Sequence, residues 1–539
     1  MSENRNFGKA IKWAYLMNWG EQGLSALLSF VLAAIIGPGD FGIVAIALVY
    51  ILFLQMFLDQ GLVAALIQRK DLDPEHLDSV FWMVLAISTI LVGLSLGFSP
   101  WWSAANHLPK LATIISLLSI TIPIEALTVV QKALFQRNMD FKSLSIRSNI
   151  SFLLGGLVGV GMALKGFGPY SLVGQRITQD VCALTLLWGL SHWRPRFRFS
   201  LKCIKDLLSF SLANFAAKIG VFANVQSEAF FMGIFFGPVA VGLYRFAQRL
   251  VSLVLQVLTS SLQVASFPQF SRLQDKPEEL RKSVQFCIRM STVLTLPILA
   301  GIAGSSRIII GVVGTKWMPA VPVLALLALG GIISSFIQFT GPLLQARSKP
   351  HLLAFLCWID AVLVTVALVS VAMVLRNAPV SKQILGIALA RLLVSVVIDA
   401  PLHLVLLFRV SQITVGQFFS AITPAFIAAT GVGGLNFLIA ARHLDQNRPP
   451  ILSLAICVAL SAVVAGSLLY LTDGELRKWA HNPSTFRFVL GDSANDAKSP
   501  HSGDEGTQAD VSIPGNSPEL AQGEPCPAIS AATDEIVSK

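Results

Sequence analysis

Charge is what this sequence has least of. Of 539 residues, 13% are Asp, Glu, Lys or Arg, whereas 54% are hydrophobic and the mean hydropathy is +0.68. A soluble domain carries about 25% charge, so a soluble α/β enzyme is excluded. Cysteine is scarce too: Cys182, Cys203, Cys287, Cys357, Cys457 and Cys526 are scattered, with no CxxC pair or His/Cys cluster. That argues against structural zinc and against a disulfide framework. Neither a P-loop nor an HExxH pattern occurs, and the eight histidines are dispersed, mostly between apolar runs.

What is present is a repeat of membrane geometry. Apolar runs near 20 residues recur from residue 13 to residue 472, each long enough to cross about 30 Å of hydrocarbon. Gly37-Pro38-Gly39-Asp40-Phe41-Gly42 joins two such runs, and Gly237-Pro238-Val239-Ala240-Val241-Gly242 joins two more about 200 residues later. Asp73-Pro74-Glu75 and Lys276-Pro277-Glu278 form a second matched pair. A membrane protein made of two similar halves usually moves something through the space between them.

The periodicity and its breakers predict an all-α integral membrane protein of about fourteen helices, near 13–36, 41–60, 78–99, 110–131, 144–164, 168–189, 207–233, 240–264, 284–303, 320–341, 351–374, 384–408, 418–440 and 451–472. The implied divisions are a six-helix bundle over 1–200, a second over 201–410, two additional helices over 411–483 and a tail over 484–539. The tail is rich in Ser, Pro, Gly, Asp and Glu and is expected to be disordered. Lys and Arg cluster in alternate loops, at Arg5/Lys9/Lys12, Arg69/Lys70, Lys132/Arg137/Lys142, Arg194–Lys205 and Arg272–Lys282. By the positive-inside rule these loops face the cytoplasm, and both termini with them. The net charge of +10 therefore reports topology rather than nucleic-acid binding.

Charges inside the spans are candidate functional groups, because one at the bilayer centre costs about 2.5–3.5 kcal/mol on insertion scales. Lys218, with Asn214 one turn before it, has no acid three or four residues away. It reads as a cavity cation facing an anionic ligand, or else as one half of a cross-helix ion pair. Arg245 and Arg249 share a helix face and suit phosphate oxygens, although Arg245 could instead pair with Glu228. Arg176 and Asp180 read as a self-neutralising pair, and Asp360 and Arg391 as potential partners of each other. Glu21, Glu125 and Asp59 are candidate proton or cation sites, with Asp59 better explained as a helix boundary.

Several segments together resemble a known family. Ile36-Gly37-Pro38-Gly39-Asp40-Phe41-Gly42, Asp59-Gln60-Gly61-Leu62, Ile67-Gln68-Arg69-Lys70, Ala133–Lys142, Gly237–Tyr244 and Gly314-Thr315-Lys316-Trp317-Met318-Pro319-Ala320 look like bacterial oligosaccharide flippases. These are polysaccharide transporters of the multidrug/oligosaccharidyl-lipid/polysaccharide (MOP) exporter superfamily. The exopolysaccharide and colanic-acid-type members are the most similar. The resemblance spans roughly residues 8–440. It implies a MATE-like fold of two pseudo-symmetric six-helix bundles plus two C-terminal helices, and a transporter rather than an enzyme. It implies an undecaprenyl-pyrophosphate-linked repeat unit carried across the inner (plasma) membrane by alternating access, for exopolysaccharide, O-antigen or capsule. The expected partners are the polysaccharide polymerase and export machinery; no cofactor is expected, and H+ and Na+ are the candidate coupling ions. The family carries no shared catalytic motif, so Lys218, Arg245, Arg249, Arg176 and Arg391 as substrate cations, and Glu21, Glu125, Asp360 and Asn214 as coupling or cavity groups, come from the residues themselves. Alternatives are a drug or lipid II exporter on the same fold, for which acidic cavity groups would suit cationic drugs, and a membrane polysaccharide polymerase or ligase, for which a large outer loop is expected.

Overall fold

The computed structural model describes residues 20–59, 62–68, 73–446, 449–474 and 477. The expected tail over 484–539 and the basic groups Arg5, Lys9, Lys12, Arg69 and Lys70 lie outside the described residues, as do the side chains of Asp59, Asn214 and Lys218.

Every regular element among the described residues is helical. In chain order they are α1 (Gly20–Ile35), α2 (Pro38–Asp59), α3 (Leu62–Gln68), α4 (Pro74–Ala105), α5 (Pro109–Leu118), α6 (Thr121–Ala126), α7 (Val129–Arg137), α8 (Phe141–Leu164) and α9 (Tyr170–Leu190) in the first half. The second half holds α10 (Leu201–Arg272), α11 (Pro277–Val313), a 3₁₀ segment (Thr315–Ala320), α12 (Val321–Ile337), α13 (Thr340–Ala346), α14 (Pro350–Leu375), α15 (Val380–Val394), a π turn (Ser395–Asp399) and α16 (Ala400–Ser411). Two more helices follow, α17 (Val415–Gln446) and α18 (Pro450–Thr472).

Among the described residues, eleven helical stretches are long and apolar enough to cross a membrane, and α1 is a shorter apolar helix. One of these stretches, Val225–Ser260, stands where two spans were expected, over 207–233 and 240–264. α9 carries Arg176 and Asp180 and is absent from that set, and α10 runs for 72 residues through a break at Gly237. There φ is 77°, a conformation that favours glycine. The expected single helix over 110–131 is broken into α5, α6 and α7, with Pro123 inside the short α6. The expected 384–408 helix is interrupted by the π turn.

The Pro-Glu pairs are matching helix starts. Pro74 and Pro277 open α4 and α11 with Glu75, Glu278 and Glu279 in the first turns. Proline lacks only a donor that is orphaned there anyway, and acids suit the positive end of the helix dipole. Asp78, in the first turns of α4, is buried. Its Oδ1 accepts from Arg196 N (3.1 Å), and Ser79 Oγ accepts from Ser200 N (2.9 Å), fastening the linker between the halves to α4.

The two halves meet where α2 crosses the later arm of α10. A side chain at Gly42 would run into the Pro238 carbonyl, and one at Gly242 into the Pro38 carbonyl. The contact is reciprocal: the glycine of each repeat meets the proline carbonyl of the other. Glycine is required at both positions because backbone lies where Cβ would be. Rings seal this crossing. Trp317 lies 4.7 Å from Phe246 and 5.8 Å from Phe41, and its Nε1 donates to the Ala33 carbonyl at 2.8 Å. Ala33 is in the last turn of α1, where carbonyls lose their helical donors. One apolar core runs through both halves, from Ala33 and Val44 to Tyr244, Phe246, Trp317 and Leu324. Outward-facing apolar side chains such as Leu157, Val366, Leu438 and Val463 are exposed, as lipid-facing residues are. α17 and α18 pack on α11 through small residues, Gly304 meeting the Gly433 backbone.

Candidate functional site

Below the crossing lie two chambers that share Leu52. The first, about 460 Å³, is lined on α2 by Phe41, Ala45, Leu48 and Leu52, and on α10 by Arg245, Arg249, Ser252 and Gln256. Both stripes have helical spacing and run away from the crossing, descending roughly 16 Å at 1.5 Å per residue. The second chamber, about 510 Å³, is lined by Gln55, Glu125, Lys132, Gln136 and Arg176. A side pocket of about 200 Å³ links Gln248 and Ser252 to Arg391 and Ser395.

Arg245 and Arg249, expected to share a helix face, both line the first chamber, half-buried. Arg245 does not pair with Glu228. Its Nη1 donates to Gln248 Oε1 at 3.1 Å and its Nη2 to Gln226 Oε1. Arg249 Nη2 donates to Ser25 Oγ (2.5 Å) and Gln22 Oε1 (3.4 Å) on α1. Among the described residues neither arginine forms an ion pair. Their partners fix the guanidinium groups and leave the charge whole, which suits an anion.

Two of the other predicted cations, Arg176 and Arg391, are neutralised, and so is Lys132. Arg176 Nε reaches Asp180 Oδ2 at 2.8 Å, and Lys132 Nζ reaches Glu125 Oε1 at 2.5 Å. Arg391 is the hub of three carboxylates: Asp360 at 2.7 Å, Glu228 at 3.4 Å and Asp399 at 3.4 Å. Glu21 accepts from Ser148 Oγ. The backbones of Asn214 and Lys218 lie in α10, but their side chains are outside the described residues.

Sequence reasoning missed Gln22, Ser25, Gln226, Gln248, Lys132 and Asp399. A scan for intramembrane charge passes over neutral amides, although Gln248 stands one turn from Arg245. One motif looks catalytic by its letters alone: Gly93-Leu94-Ser95-Leu96-Gly97 spells GxSxG. It lies inside α4 rather than at a strand-to-helix turn, and Ser95 Oγ shares a hydrogen bond with Ser119 Oγ at 2.7 Å. No group of His, Cys, Asp and Glu among the described residues could hold a metal ion.

Known proteins share this plan. Residues 31–322 match a family described as polysaccharide biosynthesis protein. The succinoglycan biosynthesis transport protein ExoT of Rhizobium meliloti (strain 1021) is 32% identical over 62% of this chain and 68% of its own length. The teichuronic acid biosynthesis protein TuaB of Bacillus subtilis (strain 168) is 26% identical over 78% of this chain and 85% of its own. The lipopolysaccharide biosynthesis protein WzxC of Escherichia coli (strain K12) is 25% identical over 63% and 69%. Among solved structures, the lipid II flippase MurJ in an inward closed conformation superposes with a TM-score of 0.65 at 15% identity, covering 87% of this chain and 99% of MurJ. An inward-facing MATE transporter of the MOP superfamily gives 0.53 at 16%, covering 74% and 94%. The fold is therefore that of MOP transporters.

Proposed function

This chain belongs to the polysaccharide biosynthesis protein family, and from that premise we propose that it is a flippase for lipid-linked oligosaccharide. The substrate is an undecaprenyl-pyrophosphate-linked repeat unit, moved from the inner to the outer leaflet of the plasma membrane by alternating access. The observation that carries this reading is the pair Arg245 and Arg249, held by neutral partners in a chamber between two related halves. A buried cation without an acid is unfavourable in a membrane, and a pyrophosphate would offset that. A drug exporter would instead set carboxylates toward its cationic ligand.

By the positive-inside rule both termini face the cytoplasm, the Gly42–Gly242 crossing is the outer end, and the chambers lie on the cytoplasmic side of it. The headgroup enters from that side. Separation of the crossing, with closure below, would release it outward. Lys218 is a third substrate cation in this reading. We assign the coupling cation, H+ or Na+, to the carboxylates around Arg391, where three acids share one guanidinium, whereas Glu125 has Lys132 to itself.

The test is reconstitution in proteoliposomes with a fluorescent lipid-linked oligosaccharide in the inner leaflet. Appearance of the glycan on the outer surface, at a rate above empty vesicles, is expected. No movement of any pyrophosphate-linked glycan, together with export of a cationic dye, would overturn the reading.

A further inference from the structure

Gln248 touches both the chamber arginine and the buried acid cluster. Its Oε1 accepts from Arg245 Nη1 at 3.1 Å, and its Nε2 donates to Glu228 Oε2 at 2.9 Å. The orientation of the amide is dictated by its neighbours, since a guanidinium can only donate and a carboxylate only accept. Glu228 is buried, receives Tyr244 Oη at 3.3 Å, and pairs with Arg391 Nε at 3.4 Å. Asp360 and Asp399 face the same guanidinium from α14 and the π turn. Arg245 is therefore one side chain away from a strongly acidic cluster. A flexible arginine so placed would be expected to swing onto Glu228, and the intervening amide prevents it.

We infer that Gln248 is a positioning residue that keeps Arg245 from neutralising itself on Glu228, so that its charge stays available to the anionic group of the substrate. An amide suits this task because it saturates both neighbours without carrying charge. A carboxylate there would neutralise Arg245, and an apolar side chain would leave two buried charges to find each other. Gln226 completes the arrangement by accepting from Nη2. Arg245 then presents a fixed guanidinium with no carboxylate directly paired to it, pre-organised for phosphate oxygens. This inference rests on the flippase reading.

The experiment measures binding of undecaprenyl pyrophosphate to the full-length protein in nanodiscs. Wild-type protein should bind. Gln248→Met, similar in volume but without the amide, should weaken binding about tenfold or more through collapse of Arg245 onto Glu228. The double variant Gln248→Met with Glu228→Gln removes the carboxylate that attracts Arg245 and should recover most of the affinity. A merely structural role for Gln248 would not be rescued by a second buried change. The inference is overturned if Gln248→Met binds like wild type, or if the double variant stays as weak as the single one. Should Gln248→Met not fold, the isosteric Gln248→Glu is read instead: at least tenfold weaker binding is expected, and unchanged binding overturns the inference. Failure of the wild-type protein to bind the probe would be a different result, overturning the flippase reading itself.

Discussion

The two chambers hold similar side chains and treat them in opposite ways. In the chamber of the first half, each cation faces an acid: Lys132 meets Glu125 and Arg176 meets Asp180. In the chamber against α10, Arg245 and Arg249 meet only amides and a hydroxyl. A paired buried charge is cancelled within the fold at little net gain. An unpaired one remains available for a ligand. Counting intramembrane charges treats all of these residues alike; the partner of each separates structural ion pairs from candidate binding groups.

The contrast can be broken most severely at the crossing above both chambers. Gly42→Leu puts a side chain where the Pro238 carbonyl lies, so the closed crossing cannot form. Transport should be abolished while the protein stays in the membrane, and cysteines placed near Phe41 should become reactive from outside. Normal transport would show that the crossing does not gate. Next comes the charge pair itself. Arg245→Gln with Arg249→Gln should weaken pyrophosphate-lipid binding by roughly 10²–10⁴-fold, at about 1.5–3 kcal/mol for each charged hydrogen bond lost. Thermal unfolding should change little, and equal binding by this variant would remove α10 from the substrate site.

The first-half chamber should show the reverse pattern. Arg176→Met leaves Asp180 without its partner. With Arg176 34% and Asp180 14% exposed, the cost is about 1–3 kcal/mol, below that of a fully buried pair. Arg176→Met with Asp180→Leu should regain most of that stability, and per-molecule transport should stay within a few-fold of wild type. A large loss of transport in the stable double variant would make Arg176 a substrate group after all. Least effect is expected from truncation after residue 490, because a polar, low-complexity tail contributes little to a membrane core. Transport at unchanged protein abundance is the measurement.

Much of the plan was legible in the linear chain, because the bilayer acts on the chain locally. Hydrocarbon demands long apolar runs and forbids unpaired backbone, so span positions follow from residue type alone. The Gly37/Gly237 and Pro74/Pro277 repeats are local geometry as well, the one a pair of breaks between helical arms and the other a pair of helix starts. The i,i+4 spacing of Arg176 and Asp180 was enough to pair them. What only tertiary structure decided were contacts across tens or hundreds of residues. Glu228 pairs with Arg391 rather than with Arg245, Gln248 stands between the arginine and the acid, and Arg249 is held by α1 more than 220 residues away. Periodicity places a side chain on a face of its own helix. Which face of which other helix it meets depends on packing, and packing decides whether a buried charge is cancelled or left free to bind.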